Sequence, residues 1–541
     1  MTFPFGGAGA TAAPQDIPPV EADIRELRAI YERIFPTRHL RYVLRIGTQH
    51  HGPKVQLHEG EVDLAPGDLG PDFLGVIERP AFGSDPRIVT IIAALPRPPR
   101  PGQPGPAERP WKPIARLGWL FRASPMAYET LRYHAEMLRK RRLERRDRRR
   151  ALPFGRRAAL PAAAAPATRD TRPAILVGMH WLELGGAERL GLDCIHWAHR
   201  AGLRVFVVAS VPAPQSLADR LPQHPGVTFI RLDRHLPHRH WTRYVTALAL
   251  AEDIRLVHIH HCTPLYVALP TLRARLPHLQ VIDSTHIVEY ANGGFPWISG
   301  VWTQFIDRHH VISAGLARHL SGRFGVPLEK VLLGRMLDRD GPPPLPLRFR
   351  AGQPSLHVAF VGRLSYQKRP VVLAHALREL AAWARRRQVA FTATVIGDGP
   401  FNPAFETLLD RLGLRGQVNL LPPEADVPAI LRQADMLLLP SNNEGLALVC
   451  YEAVAQGCIP VSTRVGAQDE LLPDGLLVPL APRATVRGIT AVIDRLWRDA
   501  AFLAAQSEAL ARRHAALRAE PTAEEVLMPI YRRIAAAPAT T

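Results

Sequence analysis

At 541 residues the chain is longer than one hydrophobic core can organise, and several domains are expected. Its apolar fraction of 47% includes no run of the roughly 18 apolar residues that a membrane-spanning helix needs. The net charge of +19 is lopsided: residues 1–173 hold 29 Lys and Arg against 18 Asp and Glu, which argues for a local basic surface rather than a uniformly basic molecule.

The amino terminus, Met1 to Val20, is rich in Gly, Ala and Pro and has no basic residue before its apolar part, so it lacks the build of a secretory signal and a cytoplasmic protein is expected. Residues 1–150 read as an accessory region with weak strand signals at 41–46 and 87–93 and a Pro-rich connector at 96–113. Ser124-Pro125 has the form of a cap followed by proline at the first helical position, and Tyr128, Leu131, Ala135 and Leu138 recur at helical spacing. That helix runs into Arg139 to Arg150, where nine of twelve residues are Lys or Arg. An Ala/Pro linker is expected over 151–173, with few contacts crossing it.

From Ala174 short apolar strands alternate with helical stretches, which predicts parallel sheets covered on both faces. Strands are expected at 175–177, 205–209, 256–259, 281–284 and 310–312, within a first doubly wound domain over 174–340. After a linker at 341–354, a second such domain over 355–520 has strands at 357–361, 392–396, 418–421, 436–439 and 459–462, and residues 521–541 close the chain as a helix. The fold class is thus α/β, two Rossmann-like domains plus a basic amino-terminal region, with a ligand cleft between the carboxyl ends of the strands.

Several features mark the second domain as carrying chemistry. The strand ending at Leu439 leads into Pro440-Ser441-Asn442-Asn443-Glu444-Gly445, with a helix expected from Leu446 to Gln456. A helix amino terminus offers unpaired N–H groups and a positive dipole end, so a diphosphate fits against the amides of Gly445, Leu446 and their successors. Glu444 and Glu452 are eight positions apart, roughly 12 Å along a continuous helix, which suits gripping two ends of an extended ligand rather than paired acid and base work. After the strand 357–361, Arg363 and Lys368 place two cations at the same cleft, where they neutralise the charge that grows on a diphosphate leaving group. The turn at Gly397 lets backbone approach a ligand closely.

These residues resemble the retaining glycosyltransferases with two Rossmann-like domains, the GT-B fold, and specifically glycosyltransferase family 4. The Glu-x7-Glu pattern of Glu444 and Glu452, continued by Ala453, Gly457, Pro460, Val461, Gly466 and Glu470, is the most specific item. The resemblance implies that Glu452 holds ribose hydroxyls, that Glu444 contacts the transferred sugar, and that Arg363 and Lys368 bind the diphosphate. On the amino side, Gly185-Gly186-Ala187-Glu188 looks like the family's glycine-rich acceptor loop, and Thr285-His286 like its acceptor-side histidine, a catalytic candidate. The chain departs from the family at Ala467, where a second glycine is usual, at Leu446-Ala447-Leu448, and at Gly334 to Asp338.

The expected function is transfer of a sugar from a nucleotide diphosphate sugar to a glycan or lipid-linked hydroxyl, with retention, in cell-surface polysaccharide or glycolipid synthesis, with no metal and no other cofactor. A nucleotide-sugar epimerase or hydrolase of the same fold, and a non-catalytic nucleotide-sugar-binding scaffold, are the competing readings. His258, His260 and His261 do not complete a metal-ligand set in the sequence, and the four cysteines read as free buried thiols. No nucleic-acid motif accompanies the basic run. With Trp119 and Phe121 nearby, that run reads either as a solvated helix end or as an attachment to an anionic membrane, placing the protein on the inner face of the plasma membrane.

Overall fold

The computed structural model describes residues 19–47, 54–63, 72–82, 87–95, 110–147, 172–183, 185–288, 294–337, 339 and 341–537. The linker expected at 151–173 lies outside the described residues except for its last two positions, and the basic run is described only as far as Asp147.

Three sheets organise the molecule. The first contains β1 (His39–Ile46), β2 (Lys54–Glu59), β3 (Phe73–Arg79) and β4 (Ile88–Leu95) in the order β2-β4-β1-β3. The second contains β5 (Ala174–Met179), β6 (Arg204–Ala209), β7 (Val227–Arg231), β8 (Ile254–His260), β9 (Gln280–Thr285), β10 (Arg308–Val311) and β11 (Val331–Leu333), in the order β11-β10-β9-β8-β5-β6-β7. The third contains β12 (Ser355–Val361), β13 (Ala390–Ile396), β14 (Val418–Leu421), β15 (Met436–Leu439), β16 (Ile459–Thr463) and β17 (Leu477–Val478), in the order β14-β13-β12-β15-β16-β17. Every pairing in the second and third sheets is parallel, for example Val177 with Val207 and Leu438 with Val461. Central strands such as Ala174–Met179 and Met436–Leu439 are buried along their whole length, as their unbroken apolar runs require when helices cover both faces.

Both parallel sheets reverse strand order near the middle, at β8-β5 and at β12-β15, and all strands end towards the same side of their sheet. Loops that follow the carboxyl ends therefore gather at these switch points, where α/β sheets bind their ligands.

The amino-terminal region packs against both domains, contrary to the expectation that few contacts cross its linker. Its sheet and the helix Pro19–Ile34 share one apolar core with the second sheet, in which Leu27, Ile30, Tyr42 and Ile91 join Val208, Ile230, Leu232 and Leu248. Polar ties hold the same seam: Tyr31 donates to the carbonyl of His235 at 3.0 Å, and Arg33 meets Glu252 at 2.8 Å. The later part of the region, Pro110 to Asp147, lies instead against the third sheet's domain. Trp111 stacks on Phe401 with ring centroids 4.1 Å apart, and the Trp111 N–H donates to the Pro400 carbonyl at 2.7 Å.

The helix expected after Ser124 spans Pro125–Asp147, but its apolar spacing has the opposite meaning to the one periodicity suggests. Tyr128 is buried, together with the polar Glu129, whereas Leu131 and Leu138 are 48% and 56% exposed. The inward face is set by Arg132 and Glu136, which both meet Tyr366 of the second Rossmann-like domain, and by Tyr128, which packs on Trp111 and Phe121 of its own segment, and the stripe at 131, 135 and 138 is left facing out.

At the other end of the chain, the helix Ala523–Ala536 leaves the second domain and packs on the first. The Arg335 backbone N–H donates to the Pro521 carbonyl and its carbonyl accepts from the Ala523 N–H, both at 2.8 Å, and Tyr531 meets His258 Nδ1 at 2.7 Å. Among the described residues no helix is long and apolar enough to cross a membrane.

Candidate active site

The loop after β12 brings Lys368 onto Glu444, with the ammonium donating to Oε1 at 2.6 Å. Glu444 is 5% exposed, so this pair sits in a low-dielectric setting where each charge depends on the other. The sequence reading had assigned the two to different parts of the ligand, and in the structure they are one ion pair. Arg363 sits earlier in the same loop and is exposed.

The helix after Glu444 starts later than expected, spanning Leu448–Ala455 rather than 446 to 456. Ala447 takes a left-handed conformation, φ 47°, just before it, so the chain turns between Glu444 and the helix. The roughly 12 Å spacing based on continuous helical rise therefore does not apply to Glu444 and Glu452. Leu446 is buried in the apolar core of its domain, leaving its main chain as what it can offer a ligand.

Glu452 is open to solvent, while protein crowds around it at longer range. That surrounding raises its carboxyl pKa and the charge of Arg189 opposes the rise. Arg189 lies in the first turns of the helix Gly186–Arg200, which begins at Gly185 and Gly186 after β5, so the glycine-rich loop of the first domain faces Glu452 of the second. Arg189 was missed in the sequence, although a cation directly after Gly-Gly-Ala-Glu at a helix start was the available signal.

His286 follows β9 and meets the Gly445 loop of the second domain through backbone. A Cβ on Gly445 would collide with the carbonyl of His286, so only glycine allows these two loops to touch. Gly466 plays the matching part behind them: at φ 59° its Cα packs against the carbonyl of Glu444. Ala467 has φ −96° and donates to the Gly445 carbonyl at 2.9 Å, a geometry alanine adopts without strain. At Gly397, φ 132°, the β13 loop crosses the carbonyl of Gly362, which locks the Gly397 turn against the Arg363 loop.

Behind His286 lies a buried histidine network. His260 Nδ1 approaches His286 Nε2 at 3.4 Å, the His286 backbone N–H donates to His261 Nε2 at 3.3 Å, and His261 stacks on Phe295 at 4.2 Å. Burial, followed by the charges of His261, His310 and His258, holds the pKa of His286 well below the ordinary value. Its imidazole is therefore neutral, and Nδ1 is buried without a partner. The sequence had shown no thiol to join His258 and His260, but the fold brings Cys194 to them, with ligand atoms within 4.8 Å of one another. Both nitrogens of His258 are already bonded, to Tyr531 and to Ser284 Oγ at 2.8 Å, which makes this a hydrogen-bonded core. All four cysteines are free and buried.

Two further contacts join the domains and were not legible beforehand. Glu470 accepts from the Gly315 N–H at 2.7 Å, capping the helix Ala314–Phe324 of the first domain from the second. Arg335, 2% exposed, donates to Glu470 at 2.6 Å and to Glu520 at 2.7 Å.

Comparison with known proteins agrees with this arrangement. Residues 184–333 match the family model described as Glycosyltransferase Family 4, and residues 355–499 the one described as Glycosyl transferases group 1. The chain belongs to glycosyltransferase family 4. Among curated family relatives, the D-inositol 3-phosphate glycosyltransferase of Salinispora tropica is 37% identical over 135 residues, 22% of this chain and 27% of that protein. The protein of the same name from Mycobacterium bovis is 31% identical over 180 residues, 32% of this chain and 37% of that protein. These matches therefore span about a third of the relatives' length. The solved sucrose-phosphate synthase of Thermosynechococcus elongatus aligns with a TM-score of 0.50 at 17% identity, over 67% of this chain and 99% of its own, which shows the shared GT-B fold. The two family matches fall on the domains of the second and third sheets, the first of them starting after β5, and residues 19–147 lie outside both.

Proposed function

We propose that this chain is a retaining glycosyltransferase that moves a sugar from a nucleoside diphosphate to an acceptor hydroxyl on a glycan or lipid-linked carrier, in the synthesis of a cell-surface polysaccharide or glycolipid. The observation that carries the reading is the meeting of the Lys368–Glu444 pair with the His286 loop at Gly445, at the mouths of two parallel sheets. One domain supplies cations for a departing diphosphate, and the other brings the His286 backbone, with its uncharged imidazole buried behind it, against Gly445.

In this reading Lys368 and Arg363 take up the negative charge that develops on the diphosphate as the glycosidic bond breaks. Main-chain amides from Gly445 to Leu448 add to that field. Glu452, open to solvent opposite Arg189, accepts hydrogen bonds from ribose hydroxyls, and Glu444 contacts the transferred sugar. His286 Nδ1, buried and without a partner, is the group available to a hydroxyl of the sugar or the acceptor. Because cationic side chains carry the electrostatic work, we assign no metal to the site.

The test is to incubate the purified full chain with a panel of nucleotide sugars and candidate acceptors, with and without a chelator, following nucleoside diphosphate release and the anomeric configuration of the product by proton NMR. Acceptor-dependent release, retention and indifference to the chelator are expected. Release without any acceptor identifies a hydrolase, isomerised donor identifies an epimerase, and binding without turnover identifies a scaffold.

A further inference from the structure

The segment from Pro110 to Asp147 belongs to neither matched family region and is not used by the chemistry above, yet it has an unusual surface. Of the nine large hydrophobic side chains that stand exposed among the described residues, four lie here: Ile114, Trp119, Leu131 and Leu138. Trp119 is 61% exposed and sits in the short helix Gly118–Ala123. Leu131, Ala135 and Leu138 form a stripe at helical spacing on the face of Pro125–Asp147 turned away from the protein.

Charge on the segment is sorted in the same sense. Lys112, Arg116, Arg122, Arg139, Arg141 and Arg142 are all exposed. Of its acids, Glu129 and Glu136 are engaged on the inward side, Glu129 being 3% exposed and Glu136 accepting from the Tyr366 hydroxyl, and Glu144 and Asp147 stand only at the helix end. The outward surface up to Arg142 thus presents aromatic and aliphatic side chains amid cations, and of the eight residues that follow, to Arg150, five are Arg against Glu144 and Asp147.

We propose that the outward face of residues 110–147 docks on an anionic lipid bilayer, with Trp119, Leu131 and Leu138 entering the interface and the basic side chains lying at the level of the headgroups. An amphipathic ring and short aliphatic anchors suit that boundary, and an anionic surface supplies the complementary charge. The segment is tied to the donor side of the cleft at two points. Arg132 stacks over the Tyr366 ring at 3.2 Å, within the loop that carries Lys368, and Trp111 stacks on Phe401 beside the Gly397 turn. Docking therefore sets the orientation of the donor loops relative to the membrane. This inference stands whether or not sugar transfer is confirmed, because its readout is lipid binding.

The experiment is flotation of the full chain with vesicles of phosphatidylcholine alone and of phosphatidylcholine mixed with phosphatidylglycerol, at low and high salt. Partition into the anionic vesicles alone, weakened by salt, is expected. Replacing Arg139, Arg141 and Arg142 together by Gln should lower that partition roughly a hundredfold. A second, independent variant, Trp119→Ser with Leu138→Ser, should lower it by at least roughly tenfold while leaving the thermal midpoint unchanged, because both side chains are exposed. Brominated lipid should quench part of the tryptophan emission in the native chain and less in Trp119→Phe. Equal partition into both vesicle types, partition into neither, quenching that Trp119→Phe does not change, or capture of an RNA duplex in place of vesicle binding would each overturn the proposal.

Discussion

Replacing Glu444 by Gln tests the ion pair at the centre of the site. In the unliganded protein Lys368 is held by Glu444 at 2.6 Å, with the carboxylate 5% exposed. A charge-assisted hydrogen bond of this kind has a net value of about 1.5–3 kcal/mol. An incoming diphosphate must share Lys368 with the carboxylate, so removing the carboxylate charge returns part of that energy to the ligand. Calorimetry with the free nucleoside diphosphate should therefore show Glu444→Gln binding as tightly as the native protein or up to about tenfold more tightly. Lys368→Ala should bind about ten- to a hundredfold more weakly. Transfer by Glu444→Gln should fall steeply despite the retained nucleotide, as expected when an interaction serves the transition state. Because the two side chains share one contact, the double variant should depart from additivity. Loss of nucleotide affinity in Glu444→Gln equal to that in Lys368→Ala would show that the carboxylate itself holds the nucleotide, and full transfer by Glu444→Gln would remove it from the mechanism.

Three other outcomes follow from the geometry. Gly445→Ala should force the donor loop off the His286 carbonyl and reduce transfer with the circular dichroism spectrum intact; unchanged activity would mean that the loops need not touch. Glu470→Gln leaves the buried Arg335 guanidinium with Glu520 as its remaining carboxylate and the helix Ala314–Phe324 with a weaker cap, so a loss of about 1.5–3 kcal/mol in denaturant stability is expected, and a loss below about 0.5 kcal/mol would contradict it. Acid should destabilise the first domain. Burial, opposed by the Gly334 carbonyl, brings His310 down to about 4, and burial and then His310 bring His258 down to about 3. The unfolded chain takes up these protons below roughly pH 6.5 while the folded one does not, so stability is full above that pH and is lost as pH falls towards 4, by about 3 kcal/mol for His310. Thermal midpoints between pH 7 and pH 5 should drop less in His310→Asn than in the native protein, and a flat native profile would refute the account.

The parallel domains were legible because their central strands are unbroken apolar runs between polar turns. Every strand expected from residue 174 onward lies within an observed strand, apart from Ile312 at the end of β10. Edge strands such as Val331–Leu333 and Leu477–Val478 escaped, being short and only weakly marked by composition. At the site, residue types and order pointed to Lys368, Glu444 and Glu452, but pairing could not be read, since the contact between positions 368 and 444 is made by tertiary structure. The helix Pro125–Asp147 shows the limit of periodicity: an apolar stripe fixes that one face differs from the other, and which face turns inward is decided by partners such as Tyr366.

The return of Ala523–Ala536 makes the first domain discontinuous in sequence. During synthesis, the surface of that domain around His258 stays unsealed until Tyr531 emerges from the ribosome, because Tyr531 supplies the bond to His258 Nδ1. For the same reason, a chimera that exchanges donor specificity with another enzyme has to take its second crossover before Pro521, leaving the closing helix with the domain it covers. A crossover that carries the whole carboxyl-terminal half would pair this first domain with a foreign lid.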